Sequence, residues 1–254
     1  MLIEMAAAED SYCRLLAEWH KHDDYDMMFR KTVRELSGNV DFSRIRSCVA
    51  FGTGSGEHEI AFVRHLLPNL RVFIAVEPDP GSIRALRENF RDGRLPRVET
   101  TVTETALEDW TGVDDAVDSA LLFNVLFHVK PEDRRALFAQ LAERHLNRDG
   151  VVVVVENESA DASGFMRLMK RLGNPEYRYT DIEADTLAAG FSPVLTRTIA
   201  GWRDLSDPND DVVKYVERLV PCSVSRDDIR AAIADIFSKP NLRNYNKRLA
   251  IFQK

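Results

Sequence analysis

Cys48-Val49-Ala50-Phe51-Gly52-Thr53-Gly54-Ser55-Gly56-Glu57 is an apolar run that breaks into alternating glycines and then opens an amphipathic helix. It reads as strand, tight turn and helix. Glycine suits positions 52, 54 and 56 because a side chain there blocks close approach of a ligand or forbids the positive φ of a tight turn. A helix starting near Ser55 points its N-terminal amides at that ligand. The next apolar run, Arg71-Val72-Phe73-Ile74-Ala75-Val76, ends in Glu77-Pro78-Asp79, where a carboxylate suits a ribose diol. Together the two runs read as a nucleotide-cofactor loop.

The spacing separates two cofactor classes. A dinucleotide fingerprint G-x-G-x-x-G needs its third glycine at position 57, which is Glu. A carboxylate there repels a pyrophosphate but tolerates a cofactor with no phosphate and a positive sulfonium. This disfavours an NAD-type dehydrogenase. A compact G-x-G-x-G followed by Glu, with an acid after the second strand, resembles the class I S-adenosylmethionine (SAM) methyltransferases.

With 254 residues and 44% apolar content the chain can bury a full core as one α/β domain with additions. The 34 basic residues are mixed among 41 acidic ones for a net charge of −7, which argues against a phosphate-binding face and so against nucleic acid. Cys13, Cys48 and Cys222 lie far apart, with no CxxC pair, and read as buried thiols of a reducing, cytoplasmic compartment rather than a disulfide framework or a zinc site. The longest apolar stretches, 151–155 and 120–127, are far short of a membrane span, and no basic-then-apolar leader is read at the N-terminus.

Residues 1 to about 37 read as helical, with Tyr12, Leu15, Leu16 and Trp19 on one face and an acidic interruption at His20-Lys21-His22-Asp23-Asp24-Tyr25-Asp26. Two histidines at i, i+2 share no helix face, so no metal site is expected. Strands are expected over 45–51, 71–77 and 97–103, and helices over 55–67 and 81–92. The near-continuous apolar block Asp118 to Val129 reads as a central parallel strand buried on both faces. Asn124 and His128 lie at its carboxyl end, where ligands of α/β sheets bind. A helix from Pro131 to about Leu146, a turn at Asn147-Arg148-Asp149-Gly150 and a strand over 151–155 complete a doubly wound alternation with right-handed crossovers. Helices follow at 163–172 and 181–189, a strand at 192–200, a helical pair at 210–219 and 226–237, and a last strand at 248–253.

The blocks Gly52-Thr53-Gly54-Ser55-Gly56-Glu57, Val76-Glu77-Pro78, Phe123 to Lys130, Tyr179-Thr180 and Tyr245-Asn246 are similar to histamine N-methyltransferase and its relatives, in order along nearly the whole chain. The resemblance implies a monomeric, cytosolic enzyme on a mostly parallel seven-stranded class I methyltransferase sheet. Residues 1–40 become an N-terminal helical lid, 45–156 the SAM-binding core, and 157–254 the substrate-side helices and last strands. It places Gly52, Gly54, Gly56, Glu77, Ser82, Thr105, Ala106 and Phe123 at SAM. It places Asn124 where the family has a glutamine at the acceptor, with His128 a base if the acceptor arrives protonated.

The family's N-terminal glutamate falls on Asp24, Tyr25 or Asp26, and its C-terminal asparagine on Asn246 or Lys247. Its two tryptophans become Phe165 and Met169, which weakens the aromatic clamp. The expected activity is methyl transfer from SAM, releasing S-adenosylhomocysteine (SAH), to a nitrogen of a small amine or imidazole such as histamine. The alternatives are another small metabolite as acceptor or a non-catalytic SAM-binding relative.

Overall fold

The computed structural model describes residues 12–107, 109–113, 115–158, 164–173 and 179–254, with backbone alone at 179–180. The expected helical start over residues 1–11 and the Tyr179-Thr180 side chains lie outside the described residues.

Seven strands form one sheet: β1 (Ser47–Phe51), β2 (Val72–Val76), β3 (Glu99–Thr103), β4 (Val117–Phe123), β5 (Leu146–Asn157), β6 (Ser192–Trp202) and β7 (Asn244–Gln253). Their order is β3-β2-β1-β4-β5-β7-β6. The first five pair in parallel, whereas β7 runs antiparallel to both of its neighbours, β5 and β6. The expected doubly wound, mostly parallel sheet of seven strands is therefore the sheet found. Strand order reverses beside β1, so its carboxyl end opens on the crevice where such sheets bind ligands.

Alternate strand residues divide the core. On one face Cys48, Ala50, Leu121, Val153 and Ile251 pack against α2 (Tyr25–Leu36) and α3 (Glu57–Leu66). On the other, Val49, Phe51, Leu122, Val152 and Phe252 pack against α5 (Pro131–Gln140), which continues as a π-helical turn over Leu141–His145, and against Ile182 of α7 (Tyr179–Ala188). Burial on both faces is why Val152 to Val155 form an unbroken apolar run. A third cluster joins α1 (Tyr12–His20), α6 (Gly164–Arg171), α8 (Asp210–Glu217) and α9 (Arg226–Phe237) through Leu15, Trp19, Phe165, Val216 and Ile233. The expected helical pair before the last strand is α8 and α9. Between β2 and β3 runs α4 (Pro80–Arg91), capped by Asp79, whose carboxylate accepts from the Ser82 N–H at 2.7 Å.

Three local expectations change. The first core helix begins at Glu57, because Gly56 is its cap at φ +79°. Asn147 to Gly150 are not a free turn but belong to β5, with a register slip that opposes Leu146 to Val117 and Val151 to Ser119. The last strand begins at Asn244, since β6 and β7 pair out to Trp202 and Asn244. Of the three thiols only Cys48 is buried, while Cys13 lines the central cavity and Cys222 is exposed.

Candidate active site

The loop after β1 turns through three glycines with positive φ, +59° at Gly52, +54° at Gly54 and +79° at Gly56. Their neighbours differ. A Cβ on Gly52 would lie 2.3 Å from Val125 Cγ2 and one on Gly56 2.4 Å from Leu86 Cδ1, so these two glycines serve packing as well as turning. A Cβ on Gly54 would meet nothing within 4 Å. Gly54 therefore presents bare backbone to a cavity of about 640 Å³, within the about 300–1,000 Å³ of small-molecule sites.

The two positions should separate on mutation. Gly54→Ala should keep the fold apart from the roughly 1–2 kcal/mol of a left-handed non-glycine residue, yet weaken SAM. Gly52→Ala should lower the unfolding free energy by more than that, since Val125 must move. Calorimetric SAM titration beside chemical denaturation of both variants tests this contrast.

Glu77 is buried at the end of β2. Its Oε2 accepts from the Gly54 N–H at 2.8 Å and its Oε1 from the Asp79 N–H at 2.9 Å, which ties the acid to the loop. Burial raises its pKa and the two N–H donors pull it back. Asp79, Ala106, Leu107 and Phe123 continue the wall. Thr53 Oγ1 is buried beside the loop with no hydrogen-bond partner among the described residues. Ser82 and Thr105 do not line the cavity. Ser82 is enclosed under the start of α4, and the Thr105 N–H turns back to the Thr103 carbonyl.

In the first turn of α3, Glu59 is 3% exposed and lines the cavity, and burial pushes its carboxyl up to about 8. Beside it His58 is held as neutral imidazole, lowered to about 3 chiefly by burial, and its Nε2 has no hydrogen-bond partner among the described residues. Glu57 sits at the rim, paired with Arg94 at 2.5 Å and Arg30 at 3.5 Å.

Across the cavity, Asn124 follows β4 with φ +54°, the one non-glycine residue at positive φ among the described residues. Its N–H bonds the Val155 carbonyl at 2.7 Å, which fixes the reversal. Its Nδ2 donates to the Tyr25 hydroxyl at 2.8 Å and its Oδ1 accepts from Lys247 Nζ. Lys247 also stands 4.6 Å over the Tyr25 ring. Tyr25 is fully buried behind Asn124 and does not line the cavity.

The expected acidic anchors are committed elsewhere. Asp24 Oδ1 accepts from the Trp202 N–H at 3.0 Å and the Tyr245 hydroxyl at 2.9 Å, away from the cavity. Asp26 is exposed at the rim and paired with Arg30 at 2.8 Å. Asp23 is buried, held by Arg203 and by His20 at 3.1 Å. Of the two C-terminal candidates, Lys247 lines the cavity and Asn246 does not, because side chains alternate along β7.

Phe165 lines the cavity edge-on to Trp19 at 5.5 Å, with Tyr215 5.1 Å from Trp19, whereas Met169 is packed among the helices. Trp19 thus supplies from α1 an aromatic wall that the sequence reading did not place. His128 is exposed at the mouth, its Nε2 3.2 Å from the Tyr12 hydroxyl. Asn157, at the carboxyl end of β5, was missed too. The signal was available, since a polar residue closing an apolar strand is the pattern that singled out Asn124.

Residues 49–150 match the family model described as a methyltransferase domain. A comparison with curated proteins returns no match. Among solved structures, a protein of Bacillus halodurans C-125 described as a methyltransferase is 14% identical, over 89% of this chain and 98% of that one, with a TM-score of 0.63. A Galdieria sulphuraria protein described as a sarcosine dimethylglycine methyltransferase is 14% identical over 89% and 84%, at 0.57. The geranyl diphosphate C-methyltransferase of Streptomyces coelicolor A3(2), solved with SAH, is 15% identical over 89% and 77%, at 0.55.

The fold is that of the class I methyltransferases, and the match of residues 49–150 to a methyltransferase domain implies SAM as the cofactor. The residues present fit SAM: bare backbone at Gly54, a buried acid at Glu77, an apolar wall for a flat ring, and the Asp79 carboxylate on the same wall for a cationic cofactor.

Proposed function

We propose, from the premise that residues 49–150 are a SAM-dependent methyltransferase domain, that the protein methylates a nitrogen of a small amine or imidazole held between Asn124 and the aromatic wall of Trp19, Phe165 and Tyr215. One observation carries this: a single cavity runs from Gly54 and Glu77 to Asn124 and that wall. SAM supplies an already activated methyl group, so the protein has chiefly to align a neutral lone pair with it.

Asn124 can do this without adding charge. Tyr25 and Lys247 hold its amide in one orientation, and its second N–H and second lone pair remain for the acceptor. Trp19, Phe165 and Tyr215 bracket a flat or compact acceptor and exclude water. His128, at the mouth beside Tyr12, would pass to solvent the proton that an arriving ammonium or imidazolium must lose, but burial lowers its imidazole to about 4, so it is a weak base that relays the proton rather than holding it. The described part of the N-terminal segment would form the lid side, α1 through Cys13, Leu16 and Trp19 and α2 through Asp26 and Arg30 at the rim.

The substitution that isolates the amide is Asn124→Gly, because glycine keeps the positive φ that alanine would strain. It should lower kcat about 5- to 150-fold, the loss of about 1–3 kcal/mol for an unmade hydrogen bond, with SAM affinity nearly intact. SAH release from SAM and a panel of imidazoles and amines is the readout. Tight SAM binding with no SAH released from any member would instead favour a non-catalytic SAM-binding protein.

A further inference from the structure

At the acceptor end of the cavity, Asn157 of β5 and Lys247 of β7 lie directly opposite each other in the antiparallel register. Cross-strand partners stand side by side on one face. Both line the cavity, and they are 6% and 7% exposed. The Asn157 amide has no hydrogen-bond partner among the described residues. Lys247 spends one donor on Asn124 Oδ1 and faces the Tyr25 ring, and among the described residues no carboxylate forms an ion pair with it. A buried ammonium and a buried amide left in this state are costly unless a ligand completes them.

The other cations of the lining are matched: Arg203 to Asp23, Arg30 to Asp26 and Lys21 to Glu18. The lining acids Glu59, Glu77 and Asp79 belong to the cofactor end, and Asp26 and Glu57 are paired at the rim. The cavity is therefore polarised, acidic where a cationic cofactor sits and cationic where the acceptor sits.

We propose that Lys247 and Asn157 form an anion subsite, so that the acceptor is a small amine or imidazole carrying a carboxylate, which accepts from Lys247 Nζ and Asn157 Nδ2 while its nitrogen faces Asn124. This rests on the cavity being the acceptor pocket, as argued above. A cationic tail, as on histamine, would instead place a second positive charge against Lys247. Burial lowers Lys247 to about 8, with Glu156 and Asp23 favouring the ammonium and Arg203 opposing it, so the subsite is charged at pH 7 and fades as pH rises past 8.

The test uses the full chain saturated with SAH and measures binding by calorimetry at pH 7. Imidazoleacetate, 4-methylimidazole and histamine carry an anionic, a neutral and a cationic tail on one ring. N-methylglycine and N-methylethylamine make the same comparison for an amine. At least tenfold tighter binding of the anionic member of each set is expected. Lys247→Met should abolish the preference with SAH affinity unchanged, and Lys247→Arg should retain part of it. Equal or tighter binding of the cationic members, or no binding of any anionic member, overturns the subsite. A clear anion preference with no SAH formed from SAM and any of these acceptors supports the subsite and overturns nitrogen methylation; turnover fastest with histamine does the reverse.

Discussion

Arg203→Met is expected to lower the unfolding free energy by about 3–5 kcal/mol, the loss seen when one member of a buried ion pair is removed. The Asp23 side chain is only 1% exposed, and Arg203 meets it through both Nε and a terminal nitrogen. The same guanidinium lies 4.5 Å from the Trp19 ring and 5.5 Å from the Tyr245 ring, so packing is lost with the charge. His20 and the Tyr25 N–H would remain beside Asp23.

Adding Asp23→Leu should recover much of the loss, because it removes the stranded charge rather than the pair's attraction. The pH dependence has a definite sign. Burial by itself raises the Asp23 pKa, but Arg203 and His20 outweigh it and hold the carboxyl far below the ordinary range. Its contribution is thus fully present above about pH 4, the unfolded value, and is lost as pH falls toward the folded one. In Arg203→Met that depression is gone, and acid relieves the stranded charge. The stability gap between variant and wild type should therefore be widest at pH 7 and narrow toward pH 3 in denaturant titrations.

Glu77→Ala should weaken SAM by about 1.5–3 kcal/mol, roughly 10- to 150-fold, as expected for hydrogen bonds to a charged group. The carboxylate has already accepted one N–H on each oxygen, and a further lone pair on each is left for a ribose diol. Removing it also leaves the Gly54 N–H without its acceptor, so the loop that faces the ligand loosens. Glu77→Gln keeps the side chain's shape and one acceptor oxygen, and should fall between alanine and wild type. Isothermal titration with SAM and with SAH gives the answer, and a loss under tenfold for alanine would mean that the ribose is held elsewhere.

The cofactor half was legible because its signals are local. An apolar run, a glycine turn and a following acid lie within thirty residues of sequence, and strand parity then fixes which of them share a face. Even there, the sequence does not say which cause acts at which glycine: Gly52 lines the cavity and a Cβ there would also crowd Val125, one at Gly56 would crowd Leu86, and Gly54 lines the cavity with nothing near it. The acceptor half depends on pairs far apart in sequence. Nothing local to Asp24 says that Tyr245 will donate to it, or that Arg203 will claim Asp23. The choice between Asn246 and Lys247 turned on strand parity at the end of β7, whose true start lay four residues before the apolar run that revealed it. Trp19 was read as one face of a helix, and which neighbour that face meets is a property of the assembled chain.

The place of β7 also sets an order in time. It comes last of the seven strands in sequence yet lies inside the sheet, between β5 and β6. Until it arrives, the valine-rich edge of β5 is open and β6 has no strand to pair with, a condition that invites association with other chains. The loop at Gly52 to Gly56, Glu77 and Phe123 are all complete in the first five strands, so the donor side can assemble while the chain is still being synthesised. Lys247 is brought by β7 itself, and joining it to β5 requires closing the whole span of residues 158–243, a non-local step of the kind that slows folding. A nascent chain can thus be competent to hold its methyl donor before it has anywhere to put an acceptor.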